Sequence, residues 1–162
     1  MAIATAIQRL NIDGPDGSIA TGMHREIISE GVATRTLTPG ESGARFNFDL
    51  AAGVVYTLPA PVQGMQFEFY STVTITSNSA KIITNAATVF LLGEVFTYTT
   101  ATASGAGFAF NGTTHIACLM NGTTSGGIIG TKVIVTALSS TQWMIEGLIV
   151  GSGTIVTPAS TT

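Results

Sequence analysis

The stretch from Arg35 to Tyr70 alternates large apolar and polar side chains with a period of two residues. Phe46 and Phe48 alternate with polar neighbours, and Phe67 and Phe69 repeat the pattern some twenty residues later. Successive side chains of a β-strand point to opposite faces, so this alternation is typical of half-buried strands. Pro and Gly corners separate the runs, and together these features restrict the stretch to short strands joined by turns.

The same pattern continues to the C-terminal part of the chain as about ten short apolar runs at the spacing of an all-β domain. The predicted strands include residues 44–50, 54–58 and 65–70, the stretch around Val73 and Ile75, and residues 88–92 and 94–100. Asn111-Gly112 and Asn121-Gly122 are predicted to be hairpin corners. We therefore predict an all-β fold, an antiparallel β-sandwich, and favour a jelly roll among its topologies. The spacing does not order the strands into sheets, so other Greek-key sandwiches remain open.

The organisation along the chain is predicted from where the alternation begins and ends. Residues 1–33 are interpreted as an N-terminal arm or edge segment, because they contain turn signals and a charged patch, His24 to Glu30, instead of regular alternation. A first strand of the main domain is the alternative for this segment. Residues 34–157 are predicted to form the β-sandwich, and residues 158–162 a short tail.

Charge is scarce in this chain, at 9% of its residues, where ordinary soluble domains carry roughly 25%. The six Lys and Arg residues are scattered and the net charge is -3, so no nucleic-acid partner is expected. No apolar run approaches the ~20 residues of a membrane span, so no membrane partner is expected either. A weakly charged surface opposes self-association less, and we expect the chain to pack against neighbours.

Residues that could carry chemistry are few and do not converge. His115 and Cys118 are three residues apart, which on a strand places them on opposite faces, and a zinc site needs three or four converging ligands. We interpret Cys118 as a buried small hydrophobe, because it lies in an apolar run. The motifs of nucleophile elbows and phosphate loops are not found. The expectation is no catalytic residue, no metal and no cofactor.

Two segments resemble a known group of proteins. RTLTPGESGARFNFDLAAGVVYTLPAPVQGMQFEF combines a Leu-Thr turn, an aromatic strand, an Ala-Ala-Gly turn and a Thr-Leu-Pro-x-Pro stop, and STQWMIEGLIVGSGT adds a Trp strand and a Gly-x-Gly-Thr turn. Over about Thr34 to Thr154 the chain resembles small β proteins encoded among tailed-bacteriophage virion genes, which include the capsid decoration, or cement, proteins.

The resemblance implies a structural virion protein, made in the host cytoplasm, that binds the outer capsid surface. Its implied partners are the major capsid protein and itself, as a homotrimer or a dimer, with the trimer favoured. Candidate capsid or subunit contacts are Ile7, Arg9, Leu10, Ile12, His24, Arg25 and Trp143. Because Trp143 alternates with Ile145, a place in the core is the other interpretation of this residue. The alternative is a tail-fibre or receptor-binding β module that contacts host glycans, for which Tyr56, Tyr98 or Trp143 are expected to line a groove.

Overall fold

Short strands in two sheets make up the part of the chain that the computed structural model describes, residues 25–162. In chain order the strands of this part are β1 (Ile27–Ile28), β2 (Thr34–Thr36), β3 (Arg45–Phe48), β4 (Val55–Thr57), β5 (Gln66–Ser71), β6 (Ala80–Ile83), β7 (Phe90–Thr99), β8 (Ser104–Asn111), β9 (Ala117–Met120), β10 (Lys132–Ala137), β11 (Gln142–Gly151) and β12 (Ala159–Ser160). Helical structure in the same part is confined to a 3-10 turn at Pro39–Glu41.

The strands divide into a seven-stranded and a five-stranded sheet that pack against each other. The order across the first is β1-β3-β5-β10-β11-β7-β8, and across the second β12-β9-β6-β4-β2. Each sheet turns one face toward the other, and the large apolar side chains lie between them. The predicted all-β sandwich is therefore confirmed.

The first six strands alternate between the two sheets. β1, β3 and β5 are parallel neighbours in the seven-stranded sheet, and β2, β4 and β6 are parallel neighbours in the five-stranded sheet. Because the chain crosses to the other sheet after every strand, it returns to the first sheet running in its original direction. Residues 27–83 therefore form stacked rungs, with Arg45 on one rung beside Glu68 on the next.

The later strands pair mostly in the antiparallel sense. β10 and β11 form a hairpin, β7 pairs with β8, and β9 lies between β6 and β12. The exception is β7 with β11, which run parallel over ten residue pairs. The long β7–β11 ladder makes one end of the seven-stranded sheet a broad, continuous surface.

The prediction that the sandwich is antiparallel is wrong for five of the ten strand pairs in the described residues. A jelly roll is built from antiparallel strands, so this pairing departs from it. Parallel neighbours need a long crossover, and here the intervening strand in the opposite sheet provides it. The pattern of short strands and turns is the same for both arrangements, so the sequence did not distinguish them.

The predicted segment 1–33 is only partly described. Ile27–Ile28 form β1, which adds to the edge of the seven-stranded sheet beside β3. The predicted tail also contributes structure, since Ala159–Ser160 pair with β9. Residues 1–24 lie outside the described residues.

Aromatic rings form the centre of the core. The ring centroid of Phe46 lies 5.6 Å from that of Tyr56, 6.1 Å from that of Phe67 and 5.9 Å from that of Phe69. Phe67 also packs against Trp143, at 5.8 Å, which joins the rungs to the later strands. Full burial of one such side chain is worth about 1.5–3 kcal/mol. The alternation that predicted inward-facing Phe side chains is confirmed.

The Asn-Gly dipeptides turn the chain, but they do not close hairpins. Gly112 and Gly122 have φ of +71° and +76°, which L side chains rarely adopt. A Cβ at Gly122 would lie 1.6 Å from the carbonyl oxygen of Ile75, so only glycine fits there. The turn after Asn111 leads from β8 to β9 in the other sheet, and the hairpin prediction is wrong for this reason.

Candidate interaction surface

The outward face of β7 and β11 carries a row of exposed apolar side chains. Phe96 and Leu148 are cross-strand partners and each is 49% exposed. Leu92 and Tyr98, both 37% exposed, lie on the same face of β7, four positions before and two positions after Phe96. Because the opposite face of these strands points into the core, both faces of this end of the sheet are apolar. We call Leu92, Phe96, Tyr98 and Leu148 the apolar row.

Glycines on the neighbouring edge strand leave the apolar row open on that side. Gly107 on β8 is the cross-strand partner of Phe96, and Gly105 is the partner of Tyr98. The ring of Phe96 lies over Gly105, where a Cβ would approach its Cζ to 2.4 Å. An aromatic ring over a strand glycine covers backbone that would otherwise face water. The outer face of β8 therefore has no side chain at Gly105 and Gly107, beside the exposed rings of Phe96 and Tyr98.

Two carboxylates lie side by side within the apolar row. Glu94 on β7 and Glu146 on β11 are direct cross-strand partners, and both are exposed. Their other cross-strand neighbours are uncharged, Ala109 on β8 and Ile134 on β10. Within residues 25–162, none of the ion pairs involves either carboxylate. Like charges directly opposite each other are unfavourable, so this pair costs stability in the free chain.

A second charged cluster on the same outer face is centred on Glu68, whose charge is already neutralised. Glu68 on β5 is 1% exposed and accepts from Arg45 Nη2 at 3.0 Å, and Lys132 Nζ lies 3.2 Å from the same oxygen. Arg25 contacts the other carboxylate oxygen. Arg45 and Lys132 come from the strands on either side of β5: Arg45 is the cross-strand partner of Glu68, and Lys132 is the partner of Tyr70, two positions along β5 on the same face. This cluster connects the rungs to β10 through Lys132 and holds the side chain of Arg25 on the outer face.

A third charged cluster stabilises the first turn of the sandwich. Arg35 contacts both Glu30 and Glu41, while Glu41 accepts hydrogen bonds from Thr38 N at 2.7 Å and Thr38 Oγ1 at 2.8 Å. Hydrogen bonding to Glu30 raises the pKa of Arg35, with desolvation opposing it and Glu41 adding to it. Desolvation acts to raise the pKa of Glu41, but its hydrogen bonds outweigh this and lower it. These contacts have a structural role in the fold.

The predicted contact residues have different outcomes. Arg25 lies on the outer face, with 39% of its side chain exposed. Trp143 is 0% exposed and packs on Phe67 in the core, so it has no surface to offer a partner and the predicted contact role is wrong for the folded chain. The remaining predicted contacts lie outside the described residues; they are Ile7, Arg9, Leu10, Ile12 and His24.

Sequence reasoning missed the apolar row. Residues 88–92 and 94–100 were predicted as separate strands, with Gly93 between them, whereas β7 runs without a break from Phe90 to Thr99. The available signal was the pairs of consecutive apolar residues, Leu91-Leu92 and Val95-Phe96, which leave a strand without a polar face. Such a run predicts a strand that is buried on both faces. In β7 only the inward face is buried, and the outward face is exposed.

The residues considered for chemistry lie apart or are buried. Cys118 is fully buried, and burial raises the pKa of its thiol to about 12. His115 Nδ1 accepts a hydrogen bond from Asn111 N at 3.2 Å in the turn after β8. Groups of three or more His, Cys, Asp or Glu that could hold a metal ion do not occur in the described part of the chain.

The aromatic groove expected of a glycan-binding module does not form from the predicted residues. Tyr56 is 3% exposed and donates a hydrogen bond to the Asn47 carbonyl oxygen at 2.6 Å inside the sandwich. Trp143 is buried as well, which leaves Tyr98 as the exposed member of the three. The pKa of the Tyr56 hydroxyl is raised, mainly because burial disfavours its charged form.

Comparisons with known proteins add no relative. No family model, no curated protein and no solved structure matches this chain. Among the described residues there is no helix long and apolar enough to span a membrane.

Proposed function

We propose that this protein is a structural virion protein that binds the outer surface of an assembled phage capsid as a symmetric oligomer and stabilises it. The proposal rests on the resemblance over about Thr34 to Thr154 and on the surface of the folded chain. Residues 1–33 serve in this proposal as an arm that extends the contact, with Arg25 on the described side of it.

The observation that carries the proposal is the apolar row. Phe96 and Leu148 expose about half of their surface on adjacent strands of a ten-residue ladder. Contiguous exposed apolar side chains on a folded protein mark interaction surfaces. Because the ladder is anchored on its other face by core residues such as Trp143 and Ile145, the row is presented on a rigid support. Little conformational entropy is therefore lost when a partner binds it.

A cement function requires binding without chemistry. A protein that binds the assembled shell but not loose capsid subunits stabilises the shell in proportion to that difference in affinity. Contacts repeated by the symmetry of an oligomer add through avidity, so each one can be modest. An apolar and weakly charged contact also depends little on salt, since screening acts on exposed charges.

The test uses capsids that lack this protein, with the purified protein added back. Phe96→Gln combined with Leu148→Gln replaces apolar with polar surface at exposed positions, so the fold should be retained. We expect lower occupancy of the capsids and a smaller gain in their melting temperature. Val62→Gln is the matched control, because Val62 is 60% exposed but lies in a loop away from the apolar row.

Unchanged capsid occupancy by the doubly substituted protein would contradict the assigned surface. The number of copies in purified virions provides a separate test of the function. A copy number comparable with that of the major capsid protein supports a cement role, whereas a few copies per particle supports the tail-fibre alternative.

A further inference from the structure

Strand β8 is the long edge of the described sandwich. The other sheet edges within residues 25–162 are β1, β2 and β12, which have two or three residues each, whereas β8 has eight. Its residues, Ser104–Asn111, include no charge and no proline, and it pairs with β7 without a bulge. Charges, prolines and bulges are what protect an edge strand from pairing with another chain. The β8 edge has none of these protections.

The backbone groups that face away from β7 belong to Gly105, Gly107 and Ala109. Asn111 N is directed away from β7, since it donates to His115 Nδ1 at 3.2 Å. Alternate residues of an antiparallel strand present their N–H and C=O groups to the same side. In the described chain, the backbone hydrogen bonds outside the strand ladders include none to these three exposed residues. Their donors and acceptors are therefore open to another strand.

We propose that this edge pairs with β8 of a second copy, antiparallel about a two-fold axis at Gly107, so that the two seven-stranded sheets form one. In this register Gly105 lies opposite Ala109 of the second copy, and the open groups exchange about six main-chain hydrogen bonds. Such a contact uses the same edge in both copies and is closed, so it ends at a dimer. The inference goes beyond the proposed function, because it assigns the contact within the oligomer and does not depend on a capsid.

The side chains of β8 complement themselves in this register. On the inner face Phe108 is half-buried and packs against the core, and it lies opposite Ala106 of the second copy. Each large ring thus meets a small side chain, and both copies bury a ring that the single chain leaves partly exposed. On the outer face the opposed residues are Gly105, Gly107 and Ala109, which are small enough for the two backbones to approach.

Charge favours edge pairing over face-to-face stacking of the apolar rows. Two stacked copies would bring four carboxylates together, Glu94 and Glu146 from each, and like-charge contact is unfavourable. With the edges paired, β7 of one copy lies three strand spacings from β7 of the other, about 14 Å. This exceeds the Debye length of about 8 Å at physiological salt. The acidic pairs therefore do not oppose the dimer, and both apolar rows lie on one continuous outer face.

The oligomeric state of the isolated full-length protein tests the pairing. Analytical ultracentrifugation across micromolar concentrations should show a reversible monomer–dimer equilibrium. Gly107→Lys places two like charges opposite each other at the axis and should raise the dissociation constant about five-fold or more. The fold should be retained, because a Cβ at Gly107 would meet nothing within 4 Å.

Two controls and a rescue make the test specific to the axis. Gly107→Ser changes the same position without a charge, and Val62→Lys adds a charge in an exposed loop away from β8. Both should leave the equilibrium unchanged. Gly107→Glu should dissociate like Gly107→Lys, but a mixture of the two variants should restore dimers, because opposite charges then meet at the axis.

Three results would overturn the inference. They are a monomer at every concentration, an oligomer that Gly107→Lys leaves intact, and a mixture of the Lys and Glu variants that stays as dissociated as either variant alone. None of them alters capsid occupancy by the Phe96 and Leu148 variants, which tests the proposed function separately.

Discussion

The two ends of the seven-stranded sheet differ in what they expose. On β3 and β5, near the other end, the outward positions carry polar groups, and Glu68 is neutralised by Arg25, Arg45 and Lys132. At the β7–β11 end the outward positions include the apolar row, and the carboxylates between its members have no counter-charge within residues 25–162. One region pairs its buried carboxylate with three cations, while the other leaves two exposed carboxylates without an ion pair in the described chain.

The difference indicates that one region of the sandwich forms the scaffold and the other forms the candidate interaction surface. The parallel rungs, residues 27–83, contribute the aromatic core, and their buried carboxylate Glu68 is paired with cations of the described chain. The long β7–β11 ladder contributes the surface available for binding. The resemblance to virion proteins is strongest in the rungs, so the features that carry it lie mainly in the scaffold and not in the candidate surface.

The largest expected contrast is between two phenylalanines on the two faces of the sheet. Phe46→Ala removes a fully buried ring that packs on three aromatic neighbours, and should lower the free energy of unfolding by about 3–5 kcal/mol. Phe96→Ala should cost less than about 1 kcal/mol, because half of this ring already faces water. Chemical denaturation of both variants measures the contrast, and equal losses would falsify the division between scaffold and surface.

An intermediate effect is expected at the junction of the two regions. Glu68→Gln keeps the size of the side chain but removes the charge that Arg25, Arg45 and Lys132 share. We expect a loss of about 1–3 kcal/mol, less than the cost of breaking a fully buried pair, because the three cations are partly exposed and water can solvate them.

Urea denaturation of the Glu68→Gln variant at low and high salt measures this loss. Glu146→Gln is the matched control, since it changes an exposed carboxylate on the same face. A control that loses as much stability as Glu68→Gln would show that the described cation cluster does not join the two regions.

The smallest effect is expected from a conservative change in the same cluster. Arg45→Lys keeps the positive charge but loses the guanidinium, which lies 5.5 Å from the centroid of the Tyr70 ring and donates to Glu68. The expected loss is about 0.5–1 kcal/mol. Lys132→Arg, on the other side of Glu68, should change stability less, and a larger effect there would contradict the assigned geometry. Denaturation midpoints of the two variants provide the comparison.

The sequence predicted the elements of the rungs well and their connections poorly. The inward Phe side chains and the strands near residues 44–50, 54–58 and 65–70 were identified, because alternation and proline or glycine corners act over a few residues. The stretch containing Val73 and Ile75 was predicted as a strand, but it is a loop whose Ile75 is buried. Alternation reports which side chains face the core, and burial in a loop produces the same pattern.

The candidate surface could not be read from the sequence for a related reason. Phe96 and Leu148 are 52 positions apart in the chain, and only the parallel register of β7 and β11 makes them partners. The same register places Glu94 beside Glu146. Trp143 shows the opposite case, a predicted contact that is buried in the core. A tryptophan in an alternating strand is compatible with either face, so the sequence did not decide its position.

The sequence by itself determined the class of the fold. Its alternation and turn residues specify short strands with one apolar face, and such strands are stable only when that face is buried against another sheet. Tertiary structure alone decided the parallel pairing of the rungs and the assembly of the apolar row, since pairing joins residues that are distant in the chain. Local patterns encode which face of a strand is buried, whereas its neighbours are chosen by the packing of the whole chain.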